Sequence, residues 1–317
     1  MIDAKVTGLR SVELGVTHLD RAAAFYRYVW GLEPVVSENG TTHLRGNGPE
    51  HHVVTLRERP KPGMVGIHFA AESRAAVDAL HEKAKAFGAT VIAAPAALPG
   101  SAGGGYGFSF RSPEGHPFNI SSDVAQHPNI VSDRSKPLKL SHVVLNSAAI
   151  EQQTSFFVDL LGFRLSDSTD MMDFIRCCAD HHSIALARGE GPSLNHMAYE
   201  MSNIDGLMRG AGRLRSLGFN IEWGVGRHGP GDNVFSYFVE PNGFVVEYTT
   251  EIQQIDEAFY EPHDAEYWRN FPMRPCRWGM ALRASNRLKA AFAGDISVAD
   301  EDDGKRCEEI MAKKLGR

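Results

Sequence analysis

Cysteine is scarce: four among 317 residues, at positions 177, 178, 276 and 307, with no Cys-x-x-Cys pair. That argues against a disulfide framework and a thiolate zinc site, and it suits a reducing compartment, so a cytoplasmic location is expected. Long apolar runs are also missing, which speaks against a membrane span. The opening MIDAKVTGLRSVELGV lacks the basic-then-apolar pattern of a secretory signal. There is no basic stripe either. With 33 Lys and Arg against 39 Asp and Glu the net charge is −6, and nucleic acid is not the expected partner. What remains is an ordinary globular composition, 43% hydrophobic and 23% charged, on a chain long enough for two domains.

Histidine, at 14 residues, is the richest source of chemistry. It recurs because the chain repeats itself. His51-His52-Val53-Val54-Thr55-Leu56 is echoed by His181-His182-Ser183-Ile184-Ala185-Leu186. Gly66-Ile67-His68-Phe69 is read against Leu194-Asn195-His196-Met197, and Pro113-Glu114-Gly115 matches Pro241-Asn242-Gly243. A polar stretch, Ser132-Asp133-Arg134-Ser135-Lys136-Pro137, joins the two halves.

Within each half the pattern is strand, amphipathic helix, then short strands, twice over. Leu19, Ala22, Ala23, Phe25, Tyr26 and Val29 form a helical stripe over 19–29. Ile204, Leu207, Met208, Ala211, Leu214 and Leu217 form another over 203–217, with Gly218 as its C-cap. Val234–Val239 and Phe244–Tyr248 read as strands around a Pro-Asn-Gly turn. The expected fold is α+β, tandem βαβββ modules, with domains at 1–130 and 131–252 and a C-terminal extension at 253–317. In the extension, Glu261-Pro262-His263-Asp264 is placed to cap a short helix carrying Tyr267, Trp268 and Phe271. Its acidic end is read as a surface helix or disorder, and the extension as a packing appendage.

Function is sought where the repeat breaks. His142 is set against Glu13, His196 against His68, and Glu247 against Asn119. The second half alone then holds two histidines and a carboxylate on strands, and Glu247 sits among apolar residues where a bare charge is costly. Two histidines and one carboxylate match the facial triad of non-haem Fe(II) oxygenases, which leaves coordination positions open.

The stretch from Gly226-Arg227-His228 through Tyr237 and Glu240-Pro241-Asn242-Gly243 to Glu247 carries a resemblance. It resembles the signature of type I extradiol ring-cleaving dioxygenases of the vicinal oxygen chelate superfamily. It departs from that signature at Ser236, where the family has a bulky apolar residue. The resemblance implies His142, His196 and Glu247 as Fe(II) ligands, with Mn(II) equally compatible with the ligand types. It implies His182 as an acid/base group on the oxygen side, and His228 and Tyr237 as the pair that touches the diol. It further implies a degenerate metal site in the first half, a small aromatic diol and O₂ as substrates, and a homo-oligomer. His181 is expected on the opposite strand face from His182, and His51, His52 and His68 as relics or packing residues.

Other chemistries of the same superfamily, isomerase or lyase, and a metal-free binding module are the competing readings. The intact triad together with His182, His228 and Tyr237 favours the dioxygenase. Phe174, Ile175, Trp223, Phe235 and Tyr248 are candidate pocket walls, and Cys177-Cys178 are read as packing residues.

Overall fold

Eight strands make up the first half: β1 (Val6–Val16), β2 (Glu33–Glu38), β3 (Thr41–Arg45), β4 (Val54–Glu58), β5 (Gly63–Ala71), β6 (Thr90–Ala97), β7 (Tyr106–Arg111) and β8 (Pro117–Ser122). Eight more make up the second: β9 (Lys139–Ser147), β10 (Arg164–Ser168), β11 (Met172–Arg176), β12 (Ile184–Arg188), β13 (Ser193–Glu200), β14 (Trp223–Arg227), β15 (Val234–Val239) and β16 (Val245–Thr250). The computed structural model describes residues 4–128, 133–272, 275–281 and 283–316, so Ser132 of the expected linker lies outside the described residues.

Each set forms one mixed sheet, in the orders β2-β3-β4-β1-β5-β8-β7-β6 and β10-β11-β12-β9-β13-β16-β15-β14. The two orders are the same permutation, and each sheet holds two βαβββ modules, so the fold is the expected tandem arrangement with a βαβββ pair in each half. Each sheet wraps around a cavity of similar size, about 570 Å³ in the first half and about 580 Å³ in the second.

The helices fall near their predicted places, with local differences. α1 (Leu19–Ala24) runs on as a π-helical turn over Phe25–Trp30 and stops at Gly31, whose φ of 96° closes the helix. Phe25, Tyr26, Val29 and Trp30 are all fully buried, and the wider π turn gathers these bulky neighbours onto one face. α2 (Arg74–Ala86) is capped by Ser73, and α3 (Ile150–Ser155) also continues into a π turn, over Phe156–Leu160. α4 (Ile204–Ser216) buries Leu207, Ala211 and Leu214 but leaves Met208, expected on its apolar face, half exposed. Gly206 and Gly210 are buried instead, and a Cβ on Gly210 would come within 2.8 Å of the Tyr248 ring.

The main core joins the halves. Trp30 stacks on Tyr248 with ring centroids 3.8 Å apart, and the Arg213 guanidinium donates to the carbonyls of Val29 and Trp30 at 2.9 and 3.0 Å. Aromatic side chains of this size contribute much of a core's burial energy.

After β16 the chain continues as α5 (Ala265–Asn270) and α6 (Asn286–Phe292), which pack on the second sheet, and α7 (Glu301–Lys314), which packs on α1. Asp264 caps α5 as expected, accepting from the Tyr267 N–H at 2.9 Å. The acidic run opens α7, where negative charge suits the helix dipole. This helix is more than a surface appendage, since Cys307 and Ile310 are buried in the main core and Arg21 pairs with Glu301 and Glu308.

The ladders correct the match between the halves. Val12 pairs with Val54 and Ile67, and Val143 pairs with Ile184 and Met197. The residue corresponding to His142 is therefore Ser11, not Glu13, and the one corresponding to His196 is Gly66, not His68. Asn119 does correspond to Glu247, since Ile67 pairs with Phe118 and Met197 with Val246. A slip of two residues keeps every side chain on its face, so alternation alone does not reveal it.

Candidate metal centre

β9, β13 and β16 are neighbours, and their register brings three side chains to one point. His142 stands opposite Ala198, and Ala198 opposite Glu247, so the small Ala198 leaves room between them. His196 lies two residues before Ala198 on the same face. Glu247 Oε2 is 3.3 Å from His142 Nε2 and 3.3 Å from His196 Nε2. Among the described residues these three form the one group whose ligand atoms all lie within 4.8 Å of one another.

All three are buried, at 2%, 6% and 0% exposure for His142, His196 and Glu247. Glu247 Oε2 makes no aligned hydrogen bond, an arrangement that a cation between the three groups would satisfy. Burial opposes the charge on Glu247, but the imidazoles of His142 and His196 outweigh it and hold the carboxyl far below its usual range. Burial pushes the His196 imidazole the other way, toward its neutral, ligating form. Two imidazole nitrogens and a carboxylate oxygen fit a divalent iron or manganese ion.

His228, Tyr237 and His182 surround this triad. Tyr237 faces Glu247 directly across β15 and β16, and its hydroxyl is 2.9 Å from His228 Nε2. The His228 ring stacks on Phe235 at 3.9 Å, and Tyr237 stacks on Trp223 at 5.2 Å. Burial pushes the His228 pKa down to about 4. The Tyr237 phenol is pushed well above its ordinary value by burial and then by Glu247. His182 packs against His142 with ring centroids 4.3 Å apart, and burial, followed by His142, keeps its imidazole neutral.

Some supporting residues are not visible in the sequence pattern. Asn195 Oδ1 lies 2.8 Å from His196 Nδ1, Asn195 Nδ2 donates to Asn146 Oδ1, and Asn146 Nδ2 donates to the Phe292 carbonyl of α6. His181 does not turn away from His182. Neither residue lies in a regular strand, so alternation does not apply, and their Nδ1 atoms are 3.1 Å apart.

The cavity over the triad has a largely apolar wall. Of the expected wall residues, Phe174 and Trp223 line it. Ile175 and Tyr248 belong to the main core, and Phe235 lies behind His228. Met171 and Met172 complete one side, and Trp268, Pro275 and Phe292 enter from the segment after β16. Cys177 and Cys178 are half-buried near the Ser183 hydroxyl, outside this lining.

The first half retains a cavity without the triad. Ser11, Gly66 and Asn119 hold the three equivalent positions, and a Cβ on Gly66 would come within 2.5 Å of the Asn119 amide. Glu13 is instead tied to Arg57 at 2.5 Å and faces His68 at 3.6 Å. Burial opposes its charge, but these partners bring the Glu13 pKa down to about 2.

The duplicated sheets and the buried triad lead to comparison with known proteins. Residues 8–120 and 139–248 each match the profile of the Glyoxalase/Bleomycin resistance protein/Dioxygenase superfamily. The chain belongs to that superfamily. Within it, the chain is 43% identical to the Mn(II)-bound glyoxalase from Novosphingobium aromaticivorans, covering 90% of this chain and 94% of that one with a TM-score of 0.83. It is 34% identical over 125 residues to Metapyrocatechase 2 of Cupriavidus necator, 38% of this chain and 39% of that protein. It is 25% identical over 263 residues to the manganese-dependent 2,3-dihydroxybiphenyl 1,2-dioxygenase of Geobacillus genomosp. 3, 75% of this chain and 82% of that one. The chain thus spans well under half of Metapyrocatechase 2 and most of the other two superfamily members. Among its described residues no helix is long and apolar enough to cross a membrane.

Proposed function

We propose that the protein is an extradiol dioxygenase, cleaving an aromatic ring beside a vicinal diol with O₂. The observation that carries this reading is the convergence of His182, His228 and Tyr237 with His142 and His196 on one cavity, with Glu247 directly behind the two histidines. The relatives named metapyrocatechase and dihydroxybiphenyl dioxygenase support it.

His142, His196 and Glu247 would hold the metal, iron(II) or manganese(II). When bound, it supplies a Lewis-acidic template and an electron path between the ring and dioxygen. The remaining work falls to the chain. The apolar wall formed by Phe174, Trp223, Trp268 and Phe292 receives the ring and excludes water. His228 and Tyr237 share a hydrogen bond at the cavity wall, where the pair orients the diol. His228, neutral down to a pH of about 4, accepts a proton from a diol hydroxyl. Tyr237 keeps its proton and donates a hydrogen bond. His182, held against His142, is the acid/base group on the oxygen side.

The competing reading is the isomerase chemistry implied by the name glyoxalase of the Novosphingobium protein. Metal content and oxygen uptake separate the two. Apoprotein loaded anaerobically with Fe(II) or Mn(II) should bind one ion and consume O₂ with a catechol. His196→Ala should lose both properties together. Full metal retention in that variant would remove His196 from the site, and metal-loaded wild type that isomerises a hemithioacetal without O₂ uptake would favour the glyoxalase reading.

A further inference from the structure

His182 does not stand alone behind the triad. Its Nδ1 is 3.1 Å from His181 Nδ1, and His181 Nε2 is 2.9 Å from Asp167 Oδ2. The three residues are 3%, 0% and 1% exposed, so water does not complete these contacts. The other oxygen of Asp167 is occupied by residues that follow β16. It accepts from the Tyr260 hydroxyl at 3.1 Å and the His263 backbone N–H at 2.8 Å, and it lies 3.2 Å from His263 Nδ1.

We propose that Asp167 and His181 are positioning residues that fix the tautomer and orientation of His182, so that its Nε2 presents a lone pair toward the cavity. The inference rests on the dioxygenase reading for its purpose but not for its geometry. A carboxylate oxygen accepts hydrogen bonds, so His181 Nε2 carries the proton it donates to Asp167. His181 Nδ1 is then an acceptor, and the Nδ1 facing it on His182 must carry the next proton. Nε2 of His182 is left free. Tyr260 and His263 face the far side of the same carboxylate, and Phe174 covers the His181 ring at 5.8 Å.

The duplicated half supplies an internal control. His51 and His52 occupy the places of His181 and His182, and their Nδ1 atoms also meet, at 3.0 Å. The histidine pair is therefore a feature of the fold. The carboxylate is not. Asp167 pairs with Phe174, and the corresponding pair in the first half is Val36 with His43. With valine at that place, the His51 ring stacks on His127 instead, at 5.2 Å. The carboxylate occurs only in the half that has the metal triad.

Histidine ¹⁵N spectra of the metal-free protein test the tautomer without any turnover. The His182 signals are assigned by their loss in His182→Gln. Wild type should show His182 protonated at Nδ1 alone, and Asp167→Asn should show a mixture or a swap of tautomers. In the metal-loaded enzyme, Asp167→Asn should lower kcat by about 100-fold, the usual scale of a misplaced acid/base group, with KM and metal content little changed. Asp167→Glu should recover part of the loss. If Asp167→Asn fails to fold, His181→Phe takes its place and should lower kcat alone in the same way. A His182 tautomer and a kcat both unmoved by these changes would overturn the proposal. Absence of turnover in wild type itself would instead count against the dioxygenase reading, and the spectra would still decide the tautomer.

Discussion

Asn195 Oδ1 faces His196 Nδ1 at 2.8 Å, leaving Nε2 of His196 directed at Glu247. Through Asn146 this contact runs to the carbonyl of Phe292, so the segment after β16 helps hold a proposed metal ligand in place. Partners of this kind typically carry about 10–100-fold in metal affinity. Asn195→Ala should therefore weaken retention of Fe(II) or Mn(II) by about that factor while leaving the fold intact. Chelator competition checks it, and unchanged affinity would show that packing alone orients His196.

Tyr237→Phe separates substrate handling from metal binding. The ring stacked on Trp223 is kept, and the hydroxyl that reaches His228 is lost. One metal ion per chain should remain, and kcat should fall by about 100-fold, within the usual range for acid/base groups. Steady-state kinetics with metal analysis on the same sample provide the check.

Acid should destabilise the metal-free protein in two windows. His43 and His228 are held neutral by burial, with pKa values of about 4 against an ordinary 6.5. The unfolded chain binds more protons than the folded one between those values, so stability falls as pH drops from 6.5 toward 4. Glu13, at about 2 against an ordinary 4.5, adds a second loss as pH falls below 4.5. Urea midpoints measured from pH 7 to pH 3 should trace this decline, and His43→Gln should flatten the upper window.

His68→Ala should alter neither metal content nor turnover. His68 faces Glu13 in the first-half cavity, where Ser11, Gly66 and Asn119 replace the triad. Loss of metal on this change would reveal a second site.

Much of this arrangement can be read from the sequence, for identifiable reasons. The repeat, the two sheets and the His-His-Glu cluster follow from strand alternation and from the stretch ending at Glu247, because side chains that converge from adjacent strands leave a regular trace. The match of Glu13 to His142 and of His68 to His196 fails because a two-residue slip preserves the facing pattern, and shared histidine identity then draws the alignment to the wrong place. His181 departs from the expected face because alternation holds only within a strand, and residues 181–182 are not in one. Trp268, Phe292 and Asp167 reach the site or its support through contacts distant in sequence, for which no local spacing gives a signal. Met208 shows the limit of helical periodicity, since close packing at Gly210 rotates the buried face toward the glycines.

The most direct test of the account follows oxygen. Metal-loaded protein, mixed with a catechol in buffer equilibrated with ¹⁸O₂, should consume one O₂ per diol, develop the absorbance of a ring-opened semialdehyde and carry the label into the new carboxylate. A product of unchanged ring with no label, or conversion of a hemithioacetal with no oxygen consumed, would contradict it.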